Sequence, residues 1–533
     1  MKYITILVML IVIMLNSATF ISLNDIKSYD FIENLDNSGK ISIKFTGTKP
    51  YRTDEIYKLL KEIKNKDSNI NKFIEYFEDR YIDNDQRFVS YSDDKFQGGA
   101  DPVLEQGIVY QSQINGKNET HANETEAGFI ANISYKDFIS IYSRTTVKYN
   151  HEGNPLRDEY SNPLIFTHNV NSFSSEDYSE TVFMMYNDDM DISIGKFPFS
   201  EGTGYLNTLT LNKLRSYYDM FLFNFKYSDL KFTAAAGFLL PDDSTSYELP
   251  RQDITNGEPT YRKYSRREKY LASHRLEWAV TDNFSLAINE NLIYGDRGVE
   301  LGYLFPIMPL KWMEHYYGDN DNSTMSFDFK YQFLKDYSVY GELFIDDETW
   351  QKSLTEYYGN KWAILAGLYN SNFLSVPYLN SRFEFTRVEP WVYTHKFHIN
   401  RYMNANSYLG SEFGPDSESY RFMFDYTTHF GLILKAGFTR ANVGQPIVGQ
   451  EDEQINYMDY PDVKKSFLNG VVEHHNYYTF EADYRYNRFI DINLYYSHRD
   501  IKNYEHKKTE FYSNNSVGFK VKMIIDRFDR YLF

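Results

Sequence analysis

From about residue 104 to residue 525 the chain repeats one pattern roughly 18 times: stretches of ~10 residues in which apolar and polar side chains alternate, joined by tight turns and long polar loops in turn. Successive side chains of a strand point to opposite faces, so each stretch carries one apolar and one polar face. The pair 325–333 and 337–345 shows it most plainly. Met325, Phe327, Phe329, Tyr331 and Phe333 share one face, and Ser326, Asp328, Lys330 and Gln332 the other. Across the turn 334–336, Tyr337, Val339, Leu343 and Ile345 oppose Ser338, Tyr340, Glu342 and Asp346. An aromatic face suits lipid and a polar face suits a lumen. The pattern therefore predicts an all-β fold, a transmembrane antiparallel β-barrel of about 18 strands in an outer membrane.

A soluble sandwich would also alternate, but its buried face would be rich in Val, Ile and Leu. Here Phe and Tyr dominate: 41 Phe and 49 Tyr put the aromatic share at 18%, enough for two interfacial girdles. No run of ~20 apolar residues follows the N-terminus, which excludes helical spans. The formal charge of -18 argues against nucleic acid as a partner, because phosphates need clustered Lys and Arg. The absence of cysteine removes disulfides, thiolate metal sites and cysteine nucleophiles. No cofactor is expected, and the barrel is expected to be a monomer surrounded by outer-membrane lipid.

Lys2 precedes an apolar run over 4–15, with small and polar residues at 16–19, the pattern of a secretory signal peptide over 1–19. A segment over 20–103 follows and is expected on the periplasmic side. Within it, 53–82 reads as a helical hairpin that could brace or plug the barrel mouth. Ile56, Leu59, Leu60 and Ile63 form one stripe, and Ile70, Phe73, Ile74 and Phe77 another. Ser68 and Asn69 between them offer an N-cap. The barrel then occupies 104–533, and its end, Phe533 with Tyr531 before it, resembles the terminal signal read by the barrel-insertion machinery. Short joints at 136–137, 187–189, 228–229, 281–283, 334–336, 429 and 487–488, with a longer one at 371–379, are expected as periplasmic turns. The segments between them are expected as extracellular loops.

Inward positions collect Arg275, Glu277, Asp328, Lys330, Glu342, Asp346, Glu384, Arg421, Asp425, Glu481, Asp483, Arg485, Lys520 and Lys522. Both signs interleave, which predicts pairing between neighbouring strands and a filled lumen. A wide channel with a solvated wall is the alternative. Glycan binding requires aromatic faces for sugar C–H surfaces beside groups that hydrogen-bond hydroxyls. Two loops supply that mixture. Trp312, Tyr316 and Tyr317 lie beside Asp319, Asn320 and Asp321, and Trp350, Tyr357 and Tyr358 lie near Asn360 and Trp362. For Trp350 and Trp362 a place in the lipid-interface girdle is an equal reading. His274, His315, His395, His398, His474 and His475 show no paired nucleophile in the sequence. Adjacent His474 and His475 on a strand would point to opposite faces. Neither an enzyme nor a metal site is expected.

Motifs spread over most of the chain add to this reading. They begin with Gly47-Thr48-Lys49-Pro50-Tyr51-Arg52 and continue through Gly195-Lys196 and Glu201-Gly202-Thr203-Gly204. The densest part holds Ser273-His274-Arg275-Leu276-Glu277, Asn289-Glu290, Glu300-Leu301-Gly302-Tyr303-Leu304, Pro306-Ile307-Met308-Pro309 and Glu314-His315-Tyr316. Gly318-Asp319-Asn320-Asp321-Asn322, Tyr340-Gly341-Glu342, Asn360-Lys361-Trp362 and Gly414-Pro415-Asp416 follow. In order and spacing these resemble the Wzi-type capsule assembly family of outer-membrane proteins. The resemblance implies an 18-stranded barrel with a periplasmic helical part. It also implies a lectin-like role, binding capsular or related exopolysaccharide and promoting its attachment at the cell surface. A diffusion porin or polysaccharide export channel, and an outer-membrane hydrolase, are the competing functions.

Overall fold

The computed structural model describes residues 18–23, 25–83, 87–113, 119–136, 138–150, 167–170, 173–212, 217–241, 248–255, 258–265, 267–349, 351–405, 407–446, 464–487 and 489–524. Most of the expected signal peptide, Trp350, and the terminal residues Tyr531 and Phe533 lie outside the described residues.

Antiparallel strands close a barrel with no free edge. They are β1 Phe96–Gln113, β2 Glu119–Tyr135, β3 Ile139–Asn150, β4 Phe173–Tyr186, β5 Met190–Pro198 and β6 Tyr217–Tyr227. Next come β7 Leu230–Phe238, β8 Lys269–Thr281, β9 Phe284–Gly295, β10 Asn322–Leu334, β11 Tyr337–Asp347 and β12 Lys361–Asn370. The last are β13 Leu379–Val388, β14 Ser417–Thr427, β15 Leu432–Val443, β16 Glu473–Asn487, β17 Ile490–Lys502 and β18 Phe511–Ile524. Neighbours in sequence are neighbours in the wall, and β18 returns to β1 with Ile524 facing Val103. Closure satisfies every strand's backbone within the wall, the condition for crossing a lipid interior. The short joints lie at one end and the long loops at the other. The apolar face of β10, from Met325 to Phe333, points outward and is exposed, while Ser326 and Asp328 are buried. β1 begins at Phe96, ahead of residue 104; Gly98, Gly99 and Pro102 blur the alternation that would mark its first part as strand.

Three helices fill the short-turn end: α1 Ile26–Asn37, α2 Thr53–Glu62 and α3 Ser68–Phe77, the last extended by a π turn over Glu78–Ile82. Asp67 caps α3, its side chain accepting from the Ile70 amide at 3.0 Å. Ser68 and Asn69 already lie in the first turn, where a side chain no longer reaches the free amides. Ile21, Ile32, Leu35, Ile56, Leu60, Ile70, Phe73 and Phe77 form the apolar core of this unit. A buried carboxylate ties its ends together. Asp25 accepts from Ser28 Oγ at 2.8 Å and Tyr81 Oη at 2.6 Å, and lies 3.1 Å from Arg80 Nε. Burial raises the Asp25 pKa, but Arg80 and the hydrogen bonds from Tyr81, Ser28 and Tyr76 outweigh that and hold it below its ordinary value.

Helix α1 has no counterpart in the sequence reading. Its acidic residues explain why, since they face the barrel wall and not solvent. Asp30 meets Lys435 at 2.5 Å, Glu33 meets Arg382 at 2.9 Å and Asp36 meets Lys330 at 2.7 Å. Spaced three apart, the carboxylates form one stripe that docks the helix against β15, β13 and β10. An ordinary amphipathic helix would turn such a stripe to water.

Candidate functional site

Above α1 the lumen is occupied by two chain segments that enter from the long-loop end. Residues 199–212, between β5 and β6, descend first. Ser200 and Glu201 pair with Lys49 and Thr48 in a two-stranded antiparallel ladder inside the barrel. Two wall carboxylates then bind backbone amides of this segment. Glu342 accepts from Gly204 N at 2.6 Å and Leu209 N at 2.7 Å, and Glu384 from Tyr205 N at 2.6 Å and Leu206 N at 3.0 Å. Gly202, at φ 122°, lies so close to Glu342 that a Cβ would come within 2.5 Å of the carboxylate.

Residues 389–405 and 407–416, between β13 and β14, close over the first segment. Tyr393 Oη donates to Leu209 O at 3.0 Å and Tyr402 Oη to Thr210 O at 2.9 Å, while Tyr393 N donates to Asp346 at 2.6 Å. The Tyr393 and Tyr402 rings stack at 5.6 Å, and both pack on Phe344. Phe197, Phe199, Leu209, Leu211, Leu365 and Leu409 complete an apolar core inside the barrel. This corrects the expectation of a lumen filled by cross-strand ion pairs and water. Against β3–β13 the inserted segments form a buried apolar core like that of a globular interior, and inward wall positions there are apolar to match, including Leu222, Leu271 and Phe344.

The anticipated charged residues do converge on the lumen, but with different partners. One cluster pairs within the wall: Arg275 reaches Asp328 at 2.6 and 2.9 Å, Glu277 at 3.2 Å and Asn289 at 2.8 Å. Most of the others engage inserted chain. Lys330, Glu342, Glu384 and Asp346 bind as described, and Arg421 bonds Glu412 and, at 3.2 Å, Leu206 O. Asp483 meets Lys27 at 3.0 Å and Arg485 meets Asp79 at 3.2 Å. Asp425 and Glu481 instead bond within the wall, accepting from Asn380 at 2.6 Å and Asn493 at 2.8 Å. Sequence alternation identifies which residues point inward. It does not show what they meet, because most partners come from loops and the N-terminal helical segment.

The two aromatic groups on the loops do not form one site. Tyr357 and Tyr358, with ring centroids 4.8 Å apart, are half-buried on the β11–β12 loop, and Tyr358 lies edge-on to buried Trp391 at 6.5 Å. Trp362 sits on the outward face of β12, its Nε1 donating to Leu354 O at 3.1 Å. Arg387 lies 5.7 Å over that indole and 3.7 Å over Phe467. Lys352, Glu356 and Lys464 surround the tyrosines at the surface. On the β9–β10 loop, Trp312 and Tyr316 are exposed, and Asp319 lies 3.6 Å from Lys311. Tyr317 packs edge-on to Tyr303 at 5.3 Å, and buried Asp321 accepts from Tyr303 Oη at 2.6 Å and Arg297 Nη1 at 2.8 Å. His474 and His475 do point apart, to Asn442 at 2.7 Å and Glu473 at 2.9 Å. No group of residues with metal-ligating geometry occurs among the described residues.

The family model for the capsule assembly protein Wzi matches residues 253–516. The chain belongs to the Wzi family. No curated protein matches it in sequence. Among solved structures it is similar to Wzi of Escherichia coli, described as an outer membrane protein involved in group 1 capsule assembly and a carbohydrate binding β-barrel. That similarity has 13% identity, covers 94% of this chain and 98% of the other, and has a TM-score of 0.59. OccAB1 of Acinetobacter baumannii also aligns, with 10% identity over 80% of this chain and 97% of its own at a TM-score of 0.43. OprD of Pseudomonas aeruginosa aligns with 10% identity over 80% and 95% at 0.40. Agreement that loose adds nothing to the fold.

The protein is thus an outer-membrane β-barrel of the Wzi family. Its family motifs meet inside the barrel. Gly47 N and Thr48 Oγ1 donate to Glu277 at 2.9 and 3.0 Å, and Ser273 Oγ donates to Glu201 at 2.6 Å. The Wzi-like segments at 47–52, 201–204, 273–277 and 340–342 are therefore parts of one packed assembly, the plug and its anchors.

Proposed function

We propose that this barrel holds capsular or related surface polysaccharide at the outer face of the cell and acts as a closed scaffold, not as a pore. The observation that carries the reading is the insertion of 199–212, 389–405 and 407–416 into the lumen above α1, because a buried apolar core there obstructs the path a solute would take. The short-turn end, with its helices, is taken as periplasmic and the long-loop end as extracellular, as in other outer-membrane barrels. The related carbohydrate-binding barrel of Escherichia coli supports glycan as the ligand class. Tyr357 and Tyr358, flanked by Lys352, Glu356 and Lys464, supply ring faces for sugar C–H surfaces beside groups that bond hydroxyls.

The test is binding of the purified, folded barrel to surface polysaccharide from the cell of origin, with planar-bilayer conductance measured on the same preparation. Retention of polymer without conductance is expected. Replacing Tyr357 and Tyr358 together with alanine should weaken binding about tenfold, since each stacked ring contributes about 0.5–1.5 kcal/mol. Steady channel conductance with no polymer retention would favour the porin reading.

A further inference from the structure

Residues 296–321, between β9 and β10, do not extend away from the barrel mouth. They fold back over its outer wall, and this hook leaves unused a feature that glycan binding does not require. It contains one helical turn, Leu301–Leu304, and helix α4, Leu310–Tyr317. Tyr303, Leu310, Met313 and Tyr317 on its inner side cover Tyr270, Ala272, Leu292 and Tyr294 on the outward face of β8 and β9. Glu290 fixes its height. This carboxylate points out from β9, two residues beyond lipid-facing Ile288, and accepts the free amides of Leu310 and Lys311 at 2.8 and 2.7 Å. An outward carboxylate at the margin of a lipid belt is costly unless satisfied, and the α4 N-terminus satisfies it.

The other side of the hook is apolar and uncovered. Leu301 is 77% exposed, Ile307 81%, Trp312 70% and Tyr316 81%, and Phe305 and Met308 lie beside them. So much contiguous apolar and aromatic surface on one short loop marks an interaction site. Its position says which. The patch continues the outward belt of Leu276, Trp278, Leu286 and Ile288 directly below it, all exposed on β8 and β9. Between the hook and the wall runs a groove of about 410 Å³, with Ile194, Phe221, Phe238, Val299 and Leu304 among its lining residues and the cross-strand partners Lys196 and Asp219 also on it. An apolar slot with charged groups beside it, under a helix bearing Trp and Tyr, matches the edge of a lipid leaflet.

We propose that the β9–β10 hook is an interfacial membrane anchor: Leu301, Phe305, Ile307 and Trp312 lie among the acyl chains of the outer leaflet, and an acyl chain occupies the groove beneath. The hook widens the lipid-contacting belt on one side of the barrel and sets the barrel's height and tilt. Trp312 and Tyr316 are then lipid contacts, which leaves sugar recognition to the rim around Tyr357.

The chain has no cysteine, so Ile307→Cys can carry an environment-sensitive fluorophore at a single site. The full-length barrel would be folded into phosphatidylethanolamine–phosphatidylglycerol vesicles. Phe327→Cys serves as the belt reference and Lys508→Cys as the aqueous one, and heat-modifiable migration reports folding of each. Leu301→Cys provides a second position should Ile307→Cys fail to fold. The expected result is emission blue-shifted to match Phe327→Cys and quenched by brominated acyl chains at every protein-to-lipid ratio. Emission matching Lys508→Cys would overturn the anchor. A blue shift seen only at high protein density would overturn it in favour of a contact between copies of the chain, and one seen only with added surface polysaccharide in favour of a glycan site.

Discussion

Replacing Arg275 with methionine is expected to destabilise the folded barrel by about 3–5 kcal/mol, the range for removing one partner of a buried ionic cluster. Arg275 is 1% exposed and bonds Asp328 twice and Glu277 once. Its loss would leave two buried carboxylates facing one another with no cation between them. Glu277 also holds the backbone of Gly47 and the hydroxyl of Thr48, so the inserted ladder of 48–49 and 200–201 would lose its support. Gly47 is fitted to the same guanidinium, since a Cβ there would lie 1.9 Å from Arg275 Nη2. Equilibrium urea unfolding in detergent or vesicles reads the loss. Adding Glu277→Gln and Asp328→Asn to Arg275→Met should recover much of it, because the penalty is the uncompensated charge and not the missing guanidinium. An unchanged midpoint in the single variant, or no recovery in the triple, would contradict this assignment.

Phe327→Arg carries the next largest expected effect, about 2–4 kcal/mol for a cation at the bilayer midplane. Phe327 lies near the middle of β10, 40% exposed on the outward face, between Ile288 and Leu343 in register. The folded, heat-modifiable form should fall sharply in the membrane fraction. Depth makes the test specific. Tyr337→Arg, beside the turn at the start of β11, should cost only about 0–1 kcal/mol because its charge reaches the interface. Equal losses at both sites, or none at Phe327, would place the strands in a different register.

The barrel wall is legible in the sequence because a period of two survives wherever one face meets lipid and the other meets charge, as in 325–333. The hairpin joints follow, since each short turn breaks that alternation. The plug is much less legible. Glu342, Glu384 and Asp346 read as inward carboxylates, but their partners are backbone amides of Gly204, Leu206 and Tyr393, which carry no sequence signal of their own. Inward residues such as Leu222, Leu271 and Phe344 depart from the alternation because they pack on inserted loops. The one usable trace of α1 is the spacing of Asp30, Glu33 and Asp36, a helical stripe with its cations hundreds of residues away on the wall. The hook shows the opposite case. Its aromatic residues are plain in the sequence, and the structure places them against the outer wall, on a side that composition cannot choose.

The most direct test is the ratio of cell-attached to released surface polysaccharide in the native cell, with and without this protein, at unchanged total synthesis. A closed, polymer-holding barrel predicts a shift toward released polymer on deletion, restored by the intact protein but not by the variant with Tyr357 and Tyr358 replaced. An unchanged ratio on deletion would contradict retention as the function.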